Sequence, residues 1–156
     1  MVDWKLPPKA KIYEALSAIG DGRVRITGAN TAEVVTSSGE RTYLVQWSED
    51  LTKITSNDNA SVWQGYLGYP ILAVLMLLGK LQYSNEVANH LSGIHWNKIN
   101  QTFRRDYNRA VDFVLTELEL KGVSRESIEI EVDQIMKQLE TTRLERFSRR
   151  AKSPGT

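Results

Sequence analysis

The sequence predicts an α+β fold, with a small antiparallel β-sheet packed on a central apolar helix and followed by a C-terminal helical hairpin. Three observations support this prediction. Short β-rich runs occupy residues 24–55, the long apolar run lies at residues 70–78, and helical periodicity dominates from residue 84 onward. We therefore expect an α+β region over residues 1–81, a helical region over 82–150 packed on it, and a flexible tail over 151–156.

The first part of the chain predicts one helix and a sheet. Apolar residues recur at helical spacing within residues 9–19, after two prolines and before a Gly-Asp-Gly stop. Alternation of period two then indicates strands with one buried face, which in the third run carries Tyr43, Val45 and Trp47. The predicted strands are residues 24–27, 32–36 and 42–47, with a short edge strand at 52–55.

Residues 56–81 connect the sheet to the apolar helix. Residues 56–59 are Ser and Asx types that bond to their own backbone, which predicts a loop. Gly65 and Gly68 permit positive φ or a close backbone approach. Pro70 suits the first turn of a helix, and residues 71–78 are apolar all round, which is typical of a buried helix.

The last part of the chain predicts three further helices. Ser84 has the character of an N-cap, one long helix is expected over residues 95–121, and Ser124 begins another. Ile128, Val132, Ile135 and Leu139 form a narrow apolar seam on that last helix. This seam either packs inside the chain, as an antiparallel hairpin with the preceding helix, or meets a second copy in a homodimer.

Composition restricts the classes of protein. The 156 residues contain no cysteine, which excludes disulfides and thiolate metal sites. Residues 70–78 are too few for a membrane span, which needs about 20 apolar residues. We therefore expect a cytoplasmic chain that does not contact a membrane. The net charge of +1 conceals a basic excess of +4 over residues 141–156.

Residues 32–78 resemble the SWIM zinc-finger family, in which a β-hairpin, a Cys-x-Cys loop and a Cys-x-His pair lead into an apolar helix. The hairpin is AEVVTSSGERTYLVQW, and the Cys-x-His positions fall on Gly68 and Pro70. The Cys-x-Cys pair falls within residues 56–61, so every zinc-ligand position is lost. The resemblance implies an interaction module, held together by an apolar belt of Trp63, Tyr66 and Tyr69 in place of zinc.

No catalytic, metal or cofactor site is predicted. His90 and His95 lack the further ligands that a metal would need, and no cofactor is expected. GANT at residues 28–31 lacks the frame and the lysine of a phosphate loop. No nucleophile–base pair is evident, so the sequence favours a protein that is not an enzyme.

A DNA-binding alternative rests on residues 86–105, which resemble a helix-turn-helix with one residue too many in its turn. Polar side chains of the second helix would meet bases and phosphates, and the basic tail would add further phosphate contacts. The candidate nucleic-acid-binding residues are Lys98, Gln101, Arg104, Arg105, Arg109, Arg143, Arg146, Arg149 and Arg150. The alternative is that the polar face of this helix and the basic terminus are exposed to solvent and bind no nucleic acid.

A protein-binding site is the preferred hypothesis. Trp63, Tyr66 and Tyr69 are large aromatic side chains of the kind that dominates interface hot spots when it is not buried in the core. We therefore expect a non-catalytic adaptor with a protein partner, with nucleic-acid binding as the alternative.

Overall fold

The computed structural model describes residues 3–146 and confirms the α+β fold. The elements in chain order are α1 (Lys9–Gly20), β1 (Val24–Gly28), β2 (Thr31–Val35), β3 (Thr42–Trp47), β4 (Ile54–Ser56), a π-helix (Ala60–Gln64), α2 (Tyr69–Leu77), α3 (Asn85–His90), α4 (Trp96–Thr102), α5 (Tyr107–Leu120) and α6 (Arg125–Thr141).

The four strands form one antiparallel sheet in the order β1-β2-β3-β4. Ala32 pairs with Val45, and Val34 pairs with Tyr43, so the apolar positions of β2 and β3 share one face. Ala32, Val34 and Val45 are fully buried, as the period-two pattern predicts. This face packs against α2, which contacts all four strands of the sheet.

Helix α2 is the centre of the core. Residues 70–76 are all buried, in agreement with an apolar run that has no polar face, whereas Leu77 and Leu78 at the end of the run are exposed. Each buried Leu or Ile contributes roughly 1.5–3 kcal/mol relative to an exposed one. Helix α1 packs on α2 and α3, and Gly20 allows the close approach to α3. A Cβ atom at Gly20 would lie 2.1 Å from the carbonyl oxygen of Ala88.

The long helix predicted over residues 95–121 is wrong, because the chain breaks between α4 and α5. Arg104 and Arg105 adopt left-handed conformations, with φ of 53° and 65°. Asp106 then caps α5, and its side chain accepts a hydrogen bond from the backbone N–H of Arg109. An Asp that is followed by an apolar-periodic run is an N-cap signal, and it was available in the sequence.

The other helix starts agree with the sequence. Ser84 caps α3 by accepting from the N–H of Val87, and Ser124 caps α6 by accepting from the N–H of Ser127. Helices α5 and α6 contact each other, and the apolar seam of α6 is buried within the chain against α1, α3 and α5. The seam is therefore packed inside this chain.

Two short segments, residues 3–5 and 143–146, join beside β4, and we call them the junction segments. The N–H of Trp4 donates to the carbonyl of Leu144, and its indole N–H donates to the carbonyl of Ile54. The N–H of Glu145 donates to the carbonyl of Thr52, and the carbonyl of Glu145 accepts from the N–H of Ile54. The segment around Glu145 thus covers the outer edge of β4. No helix among the described residues is both long and apolar enough to span a membrane.

Candidate functional site: a cleft between the π-helix and α4

A cleft of about 720 Å³ opens between the start of α1, the π-helix and α4. Ligand pockets commonly measure about 300–1,000 Å³. Two kinds of side chain dominate its lining. Five are aromatic, namely Tyr43, Trp63, Tyr66, Tyr69 and Tyr107, and five are carboxamides, namely Asn59, Gln64, Asn97, Asn100 and Gln101.

A buried ion pair lies in this lining. Lys11 and Glu14 are one helical turn apart on α1, and Lys11 Nζ donates to Glu14 Oε2 at 3.2 Å. Their side chains are 10% and 8% exposed. Lys11 Nζ also lies 4.6 Å from the centre of the Tyr107 ring, in cation–π contact.

Burial and mutual attraction set the pKa values of this pair. Burial raises the pKa of the Glu14 carboxyl above its ordinary value, and the nearby Lys11 ammonium opposes that shift. Burial alone would lower the pKa of Lys11, but Glu14 and the neighbouring tyrosines outweigh it and raise the pKa. Burial also raises the pKa of Tyr69, with Glu14 adding to the effect.

One wall of the cleft is the π-helix, which is anchored by the buried carboxylate of Asp58. Asp58 Oδ1 accepts from the hydroxyls of Ser56 at 2.5 Å and Ser61 at 2.7 Å, and Oδ2 accepts from the N–H of Ser61 at 3.1 Å. Gly68 leaves room for this cluster, because a Cβ atom there would lie 2.2 Å from Asp58 Oδ2. The loop predicted over residues 56–59 is shorter in the structure, because Ser56 ends β4 and the π-helix begins directly after Asn59.

The opposite wall is α4, which is held at its start by two other elements. The indole N–H of Trp96 donates to Ser17 Oγ of α1 at 2.7 Å, and the N–H of Asn97 donates to Ser37 Oγ of the β2–β3 turn at 3.3 Å. These bonds direct the polar face of α4 into the cleft. The left-handed residues after α4 bring Arg105 into the same lining.

Trp63 lies on the π-helix beside the cleft and is 78% exposed. The prediction of an apolar belt is therefore wrong for Trp63, because the π-helix turns its side chain outward. Tyr66 and Tyr69 are half-buried, and the Tyr69 ring packs edge-on against Tyr43 at 6.5 Å. All three predicted protein-binding residues line the cleft.

Of the candidate nucleic-acid-binding residues that the structure describes, two line the cleft. Gln101 and Arg105 line the cleft, whereas Arg109 stacks on Phe103 and Arg143 pairs with Asp3. Arg146 stacks on Trp4 at the junction segments. Lys98 and Arg104 are exposed outside the lining, and Arg149 and Arg150 lie outside the described residues.

The two histidines are exposed and lie away from the cleft lining. His90 Nε2 is 3.7 Å from Glu86 Oε1, one turn earlier on α3. Within residues 3–146, no three His, Asp or Glu side chains converge as metal ligands.

Sequence reasoning missed the Lys11–Glu14 pair, and it considered Asn97 and Asn100 only among the polar side chains of the helix that would contact DNA. A signal for the pair was present, because two opposite charges at i, i+3 border the apolar stripe of α1. No local signal places α4 opposite the π-helix, since the start of α4 is held by Ser17 and Ser37, which are far from it in the sequence.

Comparison with known proteins assigns the chain to one family. Residues 4–145 match the family of the uncharacterised conserved protein UCP014422, and the chain belongs to that family. The SWIM assignment is thereby wrong, because the match runs through almost the whole chain and is not to a SWIM family. The hairpin-then-helix order that suggested SWIM is common to many small folds. Searches of curated proteins and of solved structures each gave no match.

Proposed function

We propose that this member of the UCP014422 family is a non-catalytic binding protein, and that its cleft holds a segment of a partner protein. The observation that carries the proposal is the exposed Trp63 beside a 720 Å³ cleft that is lined by aromatic and carboxamide side chains. Exposed aromatic side chains next to a concave surface are typical interface anchors.

The carboxamides suit a polypeptide ligand. Each Asn or Gln side chain offers both a donor and an acceptor, which matches the N–H and C=O of a peptide unit. Asn97, Asn100 and Gln101 present three such groups from α4, and Gln64 presents another from the π-helix. A segment lying between these two walls is supplied with hydrogen-bond partners on both sides.

The charge of the lining favours a peptide over a polyanion. Lys11 and Arg105 are matched by Glu14 and Asp58, so the cleft has no basic excess. Residues 3–146 carry 17 Lys and Arg against 19 Asp and Glu, a net charge of −2. Nucleic-acid affinity depends largely on phosphate neutralisation.

The test is selection of binding peptides from a random display library on the purified full chain, followed by fluorescence anisotropy with the selected peptides. Trp63→Ala should weaken binding about thirtyfold, which corresponds to about 2 kcal/mol. Val62→Ala is the matched control, since Val62 lies on the same π-helix, is 44% exposed and is outside the lining. If the library yields no peptide whose affinity falls in the Trp63→Ala variant, the proposal is wrong.

The nucleic-acid alternative is favoured by one observation, the presence of Gln101 and Arg105 beside stacking aromatics in the same cleft. Anisotropy with labelled duplex and single-stranded DNA at two salt concentrations tests it. Micromolar binding that weakens with salt and in the Arg104→Ala/Arg105→Ala variant would replace peptide binding by this alternative. Absence of binding at low salt rejects the alternative.

A further inference from the structure

The Lys11–Glu14 pair has unused hydrogen-bonding capacity toward the cleft. Lys11 Nζ can donate three hydrogen bonds, and within residues 3–146 it makes one, to Glu14 Oε2. Glu14 Oε1 has no hydrogen-bond partner in the same part of the chain. Because the only fully enclosed unpartnered side-chain atom found there is Glu145 Oε2, Glu14 Oε1 must border open space.

There is room beside this oxygen for a small polar group. A cavity of about 40 Å³ adjoins the cleft and shares with it Glu14, Tyr43, Tyr69 and Asn97. Glu14 lines both the cavity and the cleft, and Lys11 lines the cleft, so a ligand side chain that enters from the cleft can reach the pair while the ligand backbone remains between its walls. The edge-on packing of Tyr43 and Tyr69 supplies an apolar surface for the stem of such a side chain.

The electrostatics of the pair favour a neutral guest. Lys11 pairs with Glu14 at 3.2 Å, and Arg23, the cation that lines the small cavity, pairs with Asp21 at 2.9 Å, so an incoming charge would be desolvated without a free counter-charge. An apolar guest would leave a buried donor and a buried acceptor unpaired. A group with a donor next to an acceptor, and no net charge, meets both requirements.

We propose that the Lys11–Glu14 pair is a receptor for a primary carboxamide, the side chain of a Gln or Asn in the partner's segment. The carboxamide oxygen accepts from Lys11 Nζ, and its N–H donates to Glu14 Oε1. This inference rests on the proposed function, since it specifies which residue the bound segment must contain.

Three small probes test the inference on the full chain: the N-acetyl, N-methylamide derivatives of glutamine, glutamate and methionine. Their side chains are similar in length and differ in being a carboxamide, a carboxylate and a thioether. Titration into ¹⁵N-labelled protein, followed by NMR, should show the glutamine probe binding about tenfold tighter than either other probe, with shifts at the backbone amides of Lys11 and Glu14. Equal affinities, or shifts elsewhere, overturn the inference without any variant.

Glu14→Gln provides a second and independent test. This variant leaves the Lys11 charge unpaired while keeping the side-chain shape, so the preferred probe should change from glutamine to glutamate. Glu33→Gln is the matched control, because Glu33 pairs with Arg25 on the sheet and is outside the cleft lining. A folded Glu14→Gln variant that retains the glutamine preference contradicts the assignment.

The two proposals fail in different ways. If displayed peptides bind in a manner that depends on Trp63, but tolerate replacement of every Gln and Asn, the cleft binds segments and the carboxamide receptor is wrong. The other outcome is that no displayed peptide binds in a manner that depends on Trp63, while the glutamine probe still shifts the amide signals of Lys11 and Glu14. The site then binds a carboxamide in a ligand other than a protein segment.

Discussion

Replacement of Asp58 by alanine should destabilise the protein strongly, although Asp58 is in a loop. Asp58 is 4% exposed, Ser56 is 6% exposed and Ser61 is fully buried. The substitution removes the acceptor for both serine hydroxyls and for the N–H of Ser61. Loops ordinarily tolerate substitution, so a large loss of stability would be a specific signature of this buried cluster.

The magnitude follows from the three donors that lose their partner. Each unsatisfied buried donor costs about 1–3 kcal/mol, and the upper limit of their sum is reduced by water entering the vacated space and by relief of the buried carboxylate. We expect a loss of about 3–5 kcal/mol in the free energy of unfolding. Asp58→Asn should cost about 1–2 kcal/mol, because one acceptor oxygen remains for the hydroxyls.

The assay is urea unfolding at pH 7, monitored by far-UV circular dichroism and tryptophan fluorescence. Asp50→Ala is the control. Like Asp58, Asp50 accepts hydrogen bonds from a serine two residues earlier, Ser48, and from a residue that follows it, Thr52, but Asp50 is exposed. Water can replace those bonds, so Asp50→Ala should cost much less. If the two alanine variants lose the same free energy, burial of the Asp58 cluster does not contribute as we argue.

Three further predictions concern a pKa, a cap and a close contact. Burial raises the pKa of Tyr13 to about 12, so its neutral form stabilises the fold below pH 10 and that contribution is lost as the pH rises through 12. The free energy of unfolding of the wild type, relative to that of Tyr13→Phe, should therefore fall by about 2 kcal/mol between pH 9 and pH 11.5 in urea titrations. Asp106→Ala should cost about 1 kcal/mol, because the N–H of Arg109 loses its cap, and Asp106→Asn should retain most of that stability in the same assay. Gly20→Ala should lower the melting temperature markedly, since its Cβ meets the carbonyl oxygen of Ala88, and an unchanged melting temperature would show that α1 and α3 are not packed this closely.

Local signals predicted most of the fold. The bounds of β3, the caps at Ser84 and Ser124 and the buried helix α2 each depend on residues that are close in sequence. The break after α4 also has a local signal, the N-cap Asp106, whereas the position of α4 depends on Ser17 and Ser37, which are far away in the chain. Periodicity continues across that break, so it predicted one helix where there are two.

The candidate site was only partly predictable for the same reason. Three of the five aromatic residues of the cleft, Trp63, Tyr66 and Tyr69, were predicted as site residues, but the exposure of Trp63 depends on a π-helix that the sequence did not predict. The pairing of Lys11 with Glu14 is local, whereas its position in a cleft depends on α4 and α5 packing nearby. Long-range packing decided which polar residues meet.

The junction segments have a consequence for folding during synthesis. Asp3 and Arg143 are 140 residues apart in sequence, yet they form an ion pair at 3.3 Å. The outer edge of β4 therefore remains uncovered until residues 143–146 have left the ribosome, although the rest of the sheet was synthesised long before. During that interval the nascent chain exposes an unpaired strand edge, and chaperone binding to stalled ribosome complexes should fall once residue 146 has emerged.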